Sequence, residues 1–550
     1  MIRFKHFSVL VIVAAFASTS SFASWIVKQE RTGKDVRVLA VQKSNQKAGA
    51  QPKVLRSLPT YLREDAPPSS TYEEVLYSDI GLPTPAKAKR QELMSSRKKL
   101  ENTEVRTLVS QGPKENRINL TILGDGYTLA EKDRFFADAT RTKNELFVGQ
   151  TFASYLPLFN VYAVFVPSQD SGITDGDAKK NTAFSLYRDP PGSKRAIMPG
   201  DPNALEEALQ LAPATDYPIV LANDEYYGGL GGRFAISTRS IESGIVVLRH
   251  ELGHNFGQVG EEYDGGYVYT GANSTSSRGG VPWSQWLTDG KLNTYETKFL
   301  AGEYVWQNLA QSDFTSDFNF PAPSSEGPYQ FEVIVSSVGW KTPGDVTVQF
   351  DGQPVTLEGR WTTDRSFFTF HLPQSPSAGQ HRLTVHQNIH DGDKLVAFVE
   401  LYAQPATLDF SKDVYGAYAT FSSGGSPAGY RPTHTSCLMR DMLTPNFCSV
   451  DKENMWLRFL NRVSLVDSVA YDAASKTVTL QAPELQGLAI SWFQVSAAGK
   501  ESELTALAGK RSWVNTSGLT GDVKAKLSFR TTEVRRGTSR LDAEKTVTLR

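Results

Sequence analysis

Two of the chain's eight histidines stand four residues apart in LRHELGHNFGQVGEEYDGG (248–266), with a glutamate directly behind the first. On a helix, His250 and His254 lie about 40° apart around the axis and about 6 Å apart along it, so both imidazoles reach one cation from the same face. Glu251 is turned about 100° from His250. A carboxylate there stands beside the ion rather than on it, where it can accept a proton from water. This is a His-Glu-x-x-His arrangement, with two imidazoles for Zn2+ and a glutamate as general base. Chance produces the pattern in roughly one in a hundred chains of this length and composition. The apolar Ile245-Val246-Val247 just before it also argues against a merely solvated helix face.

Catalytic zinc takes three protein ligands and keeps one position open. On a continuous helix Glu261 would lie about 16 Å along the axis from His250, out of reach. Gly257 and Gly260 are therefore expected to break the helix. After the turn, Glu261, or alternatively Glu262, can swing back to the ion. Metzincins place their third histidine where Gly260 stands, and glycine offers no ligand, so a carboxylate one or two residues later is the substitute. Asp264 and His434 are weaker candidates. A second pair, His386 and His390, falls in a β-type stretch, where residues four apart are about 13 Å apart, and reads as two solvent-facing imidazoles too far apart to share an ion. Cys437 and Cys448 are the only cysteines. By themselves they cannot make a four-ligand structural zinc site, and in an oxidising compartment a disulfide closing one loop is expected.

The elements that must position this site alternate. RINLTILGDGY is a β-type run ended by a Gly-Asp-Gly turn. TLAEKDRFFADATRTKNELF has a helical period, with Thr128 as N-cap and Glu131 three residues on. FNVYAVFVPS and YPIVLAND read as buried strands, and IESGIVVLRHELGHNFG as a central helix. The expected fold class is multidomain α+β: an α/β core with flanking and inserted β-sandwich-like modules. Residues 1–23 form a signal peptide, with basic Arg3 and Lys5, an apolar Phe7–Ala17 stretch and a small-residue cut after Ala23. A β-rich N-terminal domain spans 24–105, with a linker (REDAPPSSTYEE) and a solvated helix (AKAKRQELMSSRKKLEN) at its end. The core spans 110–310 and resumes at 405–465. A β-sandwich-like module (311–404) is inserted between the two parts, and a last β-module covers 466–550.

With 550 residues, 40% hydrophobic content and a formal charge of −1, the chain is globular and multidomain, and nothing favours a nucleic-acid partner. No segment is long enough to span a membrane, and a monomer is expected.

The quoted metal stretch, ILGDGYT (122–128), FNVYAVFVPSQDSGI (159–173), ANDEYYGGLGG (222–232) and TSCLMRDM (435–442) together resemble the M64 peptidase family, named after a bacterial IgA endopeptidase. The likeness spans about 115–265 and resumes near 410–455. The family's His-Glu-x-x-His is followed by an acidic pair before tyrosine, which Glu261, Glu262 and Tyr263 resemble. The resemblance implies a zinc-dependent endopeptidase with an α/β zincin core. It does not imply that IgA is the substrate. On this picture GGRFAISTRS (231–240) would be an edge strand that pairs with substrate backbone. Met439 would lie under the metal as in a Met-turn, and the cysteine pair would brace that loop.

The expected function is a secreted zinc endopeptidase acting on a protein or glycoprotein substrate, with Glu251 as general base. The alternative is a secreted glycan- or protein-binding protein on an inactive zincin scaffold, whose β-modules would hold a glycan or surface ligand.

Overall fold

A computed structural model describes residues 24–32, 35–44, 52–59, 70–78, 83, 86 and 102–550, except 191–194, 266–270, 278, 326, 373, 423 and 538–540. The expected signal peptide, residues 63–69 of the expected linker and nearly all of the charge-rich helix at 86–102 lie outside the described residues, while the rest of that linker, 70–74, belongs to the strand Ser70–Ser78.

An eight-stranded mixed sheet positions the site. In spatial order its strands are Glu104–Val109, Phe159–Phe165, Ile118–Asp125, Tyr217–Ala222, Ala235–Thr238, Gly229–Leu230, Ala196–Met198 and Tyr187–Asp189. Strands 159–165, 118–125, 217–222 and 235–238 run parallel. Every residue of these four is buried, as a parallel sheet covered on both faces requires. Their side chains alternate between two apolar layers. Leu120, Ile122, Val161, Ala163, Ile219 and Leu221 face one side. There they meet α1 (Lys132–Leu146), α3 (Gly244–Gly257) and α4 (Ser449–Leu460) through Phe135, Leu252, Phe256 and Phe459. Leu123, Val164, Val220 and Ile236 face the other side and pack on Leu205, Ala208 and Leu209 of α2 (Pro202–Leu209). The capping box read from Thr128 and Glu131 is present, with the Thr128 N–H donating to Glu131 Oε2 at 2.9 Å.

The segment 231–240 departs from expectation. Its strand, Ala235–Thr238, is not an edge: the two-residue strand Gly229–Leu230 pairs antiparallel with it through Ser237 and Ile236. Two residues leave no alternating pattern to detect, so the covering strand was invisible in the sequence.

Beyond this sheet the molecule is mostly β. The strands Ser24–Thr32, Asp35–Ser44, Lys53–Pro59 and Ser70–Ser78 form a four-stranded antiparallel sheet. A six-stranded and a four-stranded sheet, drawn from 298–405, face each other across a core of Phe318, Phe331, Val333, Trp340, Phe368 and Leu401. Strand Phe314–Phe320 alternates buried and exposed residues, as one face of a sandwich should. Residues 468–549 form two further antiparallel sheets whose Trp492, Val523 and Phe529 join the same core as α4. Among the described residues, no helix is long and apolar enough to cross a membrane.

Candidate metal centre

Helix α3 is buried along almost its whole length, its polar Arg249, His250, Glu251, His254 and Asn255 included. Leu248, Leu252 and Phe256 face the sheet and leave His250 and His254 on the other flank. The helix stops at Gln258, which adopts left-handed φ and ψ of 49° and 46° while its N–H donates to His254 O at 2.8 Å. The break thus falls one residue beyond Gly257, on a side chain that tolerates this conformation only at some strain, held by the capping bond.

That turn has two consequences. It aims the Val259 carbonyl at His254 Nδ1, at 2.8 Å. It also folds the chain back so that Glu261 lies between the imidazoles. Its Oε2 is 3.1 Å from His250 Nε2, and its Oε1 is 3.1 Å from His254 Nε2. The two Nε2 atoms are 3.2 Å apart. The returning segment hangs on the loop before α4, where the Glu262 N–H donates to Met439 O at 3.0 Å. The same loop presents the Leu438 carbonyl to His250 Nδ1 at 3.1 Å.

A carbonyl can only accept, so both Nδ1 atoms carry hydrogen and each neutral ring turns its Nε2 lone pair inward. Two lone pairs and a carboxylate then meet in one buried place, with exposures of 5% for His250, 2% for His254 and 4% for Glu261. Only a cation makes that arrangement favourable, and the donor set of two imidazoles and one carboxylate suits zinc. The residues therefore fit a metal ion. Without one, protons take that role: burial opposes charging His250, but the Glu261 carboxylate outweighs it and lifts the imidazole to about 9. Burial would raise Glu261, yet the two imidazoles hold it well below the usual carboxylate range.

Glu251 is 8% exposed, and its Oε2 has no hydrogen-bond partner. Burial pushes it up to about 7, against the pull of both histidines. The Tyr263 ring stacks on His250 with centroids 6.2 Å apart, and its hydroxyl is bonded to Glu261. Met439 is fully buried beneath α3: a methyl group on Gly253 would lie 2.7 Å from its sulfur.

The other candidates are elsewhere. Glu262 turns away from the triangle and accepts from Asn273 Nδ2 at 2.9 Å. Asp264 accepts from the Tyr402 hydroxyl at 2.6 Å and the Phe421 N–H at 2.8 Å. His434 pairs with Glu332 at 3.0 Å. His386 is about half exposed and pairs with Asp313. The expected Cys437–Cys448 disulfide is not formed. Both are free, buried thiols, and the Cys437 thiol donates to Asp451 Oδ2 at 3.1 Å while its sulfur accepts from the Cys448 N–H at 3.4 Å.

Sequence reasoning missed a clamp from the β-sandwich. Asp364 is 3% exposed and accepts from the hydroxyls of Ser240 (2.8 Å) and Ser243 (2.5 Å) and from the Tyr227 N–H (2.5 Å). The Arg365 guanidinium lies over the Tyr227 ring, 4.4 Å from its centroid. The start of α3 and the segment ahead of it are thus fastened by a residue more than a hundred positions away, which no local pattern announces.

Residues 106–313 match the IgA Peptidase M64 family. The resemblance seen in the sequence is therefore shown for the region that carries α3 and Glu261, and the M64 match supports a peptidase hydrolase with protein as substrate. No curated protein matches the chain. Among solved structures, dimeric latent PorU from Porphyromonas gingivalis is 10% identical, covering 26% of this chain and 18% of that one at a TM-score of 0.17. A cycloisomaltooligosaccharide glucanotransferase from Paenibacillus sp., complexed with cycloisomaltoheptaose, is also 10% identical. It covers 58% of this chain and 46% of that one at a TM-score of 0.12. At those scores neither likeness bears on the M64 region.

Proposed function

We propose that the chain is an exported zinc endopeptidase in which His250, His254 and Glu261 hold the metal and Glu251 moves the proton. The convergence of both Nε2 atoms on one Glu261 carboxylate carries this reading, and the M64 match supports it. Zinc held by three protein donors supplies Lewis acidity, which acidifies water and polarises a peptide carbonyl.

The protein's own groups do the rest. The carbonyls of Leu438 and Val259 fix both imidazole tautomers, so that the rings present lone pairs without rearranging. Tyr263 bonds the Glu261 carboxylate and limits its rotation. The partnerless Oε2 of Glu251 is free to take a proton from an attacking water and pass it to the leaving amine. Its pKa of about 7 in the metal-free chain leaves it close to balanced between the two states, and a bound cation would draw it lower, toward the base form. The N-terminal segment, with its basic start and short apolar run, supports export.

Cleavage of a proteome-derived peptide library tests the reading. A chelator should abolish cutting and zinc should restore it. Glu251→Gln should keep the metal while losing about 10²–10⁴-fold in rate. Metal retained with no cleavage by the wild type would instead point to a binding protein on an inactive scaffold.

A further inference from the structure

We propose that Glu262, Cys437, Cys448 and Asp451 form a second, structural metal site for a thiophilic divalent cation such as zinc. The four residues come from three separate places: the turn after α3, the two ends of the loop before α4, and the first turn of α4. Each offers one ligand atom, and all four atoms lie within 4.8 Å of one another. None of the four side chains is more than 2% exposed.

The hydrogen-bond inventory leaves the pocket incomplete. Asn273 serves one oxygen of Glu262, and the Cys437 thiol serves one oxygen of Asp451. The second oxygen of each carboxylate, Glu262 Oε2 and Asp451 Oδ1, is buried without a partner. Two buried carboxylates this close, each with one oxygen lacking a hydrogen-bond partner, are unfavourable as a charged pair, and a cation between them would relieve that cost. Two sulfurs and two carboxylate oxygens give the four ligands of a closed tetrahedral site, and the thiolates select zinc over magnesium or calcium. Cys448 immediately precedes the twelve-residue α4, and because burial pushes its thiol up to about 12, a cation bound there would have to displace the thiol proton. Arg431 and Arg440 act on Glu262 and offset the excess negative charge.

The consequence is mechanical. Glu262 follows Glu261 directly, and Cys437 is next to Leu438, whose carbonyl orients His250. An ion in this pocket would staple both supports of the histidine triangle to the start of α4. The site stands apart from the peptidase reading, since it uses none of the same ligands.

Cobalt titration of the reduced full-length protein, followed by absorption, tests it. We expect about two Co2+ per chain and a thiolate-to-cobalt charge-transfer band in the near ultraviolet, because sulfur ligands alone give that band. The band should weaken in Cys437→Ser, vanish in the double variant Cys437→Ser/Cys448→Ser, and persist in Glu261→Gln, which loses the other ion. Because Cys437→Ser may fail to fold, the wild-type spectrum decides. A saturated wild-type protein without the band overturns the proposal. So does a purified protein lacking two hydrogens, with both cysteines in one cross-linked peptide. Either result would leave the peptidase reading untouched.

Discussion

Replacing Asp364 by alanine should loosen the metal centre from a distance. The carboxylate gathers two hydroxyl donors and two backbone N–H groups, from Ser240, Ser243, Tyr227 and its own neighbour Arg365. Hydrogen bonds to a charged group contribute about 1.5–3 kcal/mol each. The full sum will not be lost, because the Ser243 hydroxyl already lies 3.1 Å from Ser240 Oγ and can bond it instead. The Tyr227 N–H and one hydroxyl remain orphaned, which gives a loss of about 2–4 kcal/mol. Since the carboxylate fastens one segment rather than the whole core, the loss should be local. Hydrogen exchange in 225–243 should accelerate roughly 30- to 1,000-fold while the sheet at 118–125 stays protected. Asp364→Asn keeps one acceptor oxygen and should lose about half as much free energy. Unchanged exchange in 225–243, or acceleration spread evenly over the chain, would refute the clamp.

Two further outcomes follow from packing and charge. A methyl group on Gly253 would meet both Met439 Sδ and Phe447 Cε1 at 2.7 Å. Gly253→Ala should therefore destabilise by about 1–3 kcal/mol through overpacking, offset by about 1 kcal/mol of helix propensity. Chemical denaturation should show that adding Met439→Ala relieves part of that strain, so the double variant loses less than the two singles together. The buried pair of Arg117 and Asp467 (2.6 Å) joins the M64 region to the C-terminal sheets, and Arg117→Ala should cost about 3–5 kcal/mol by leaving the carboxylate uncompensated. Burial would raise Asp467, but the Arg117 hydrogen bonds and charge hold it below the ordinary value. A depressed folded-state pKa stabilises above the unfolded value, about 3.9, and that contribution is lost as pH falls through the folded value. Acid melts should show this loss below about pH 4 in the wild type and not in Asp467→Asn.

The histidine pair and the buried strands around it were legible because both depend on short-range periodicity. The sequence also indicated that the chain must turn after α3 to bring an acid back, but not that Gln258 rather than a glycine would take the left-handed conformation. Residue type biases that choice only weakly when a capping bond and a returning segment demand it. The contacts holding the site in place are long-range. The Glu262 N–H meets Met439 O, and Asp364 meets Ser240 and Ser243, across separations that periodicity does not encode. The cysteines illustrate the same limit. Their spacing suits a disulfide equally well, and only the arrival of Asp451 and Glu262 shows that the sulfurs face carboxylates.

The central claim is that one divalent metal sits between His250, His254 and Glu261. Anomalous diffraction at the zinc edge, from crystals of protein purified without chelator, tests it most directly. A peak bonded to both Nε2 atoms and to the Glu261 carboxylate is expected. Zinc-saturated crystals with an empty triangle, its rings hydrogen-bonded to Glu261 alone, would contradict it.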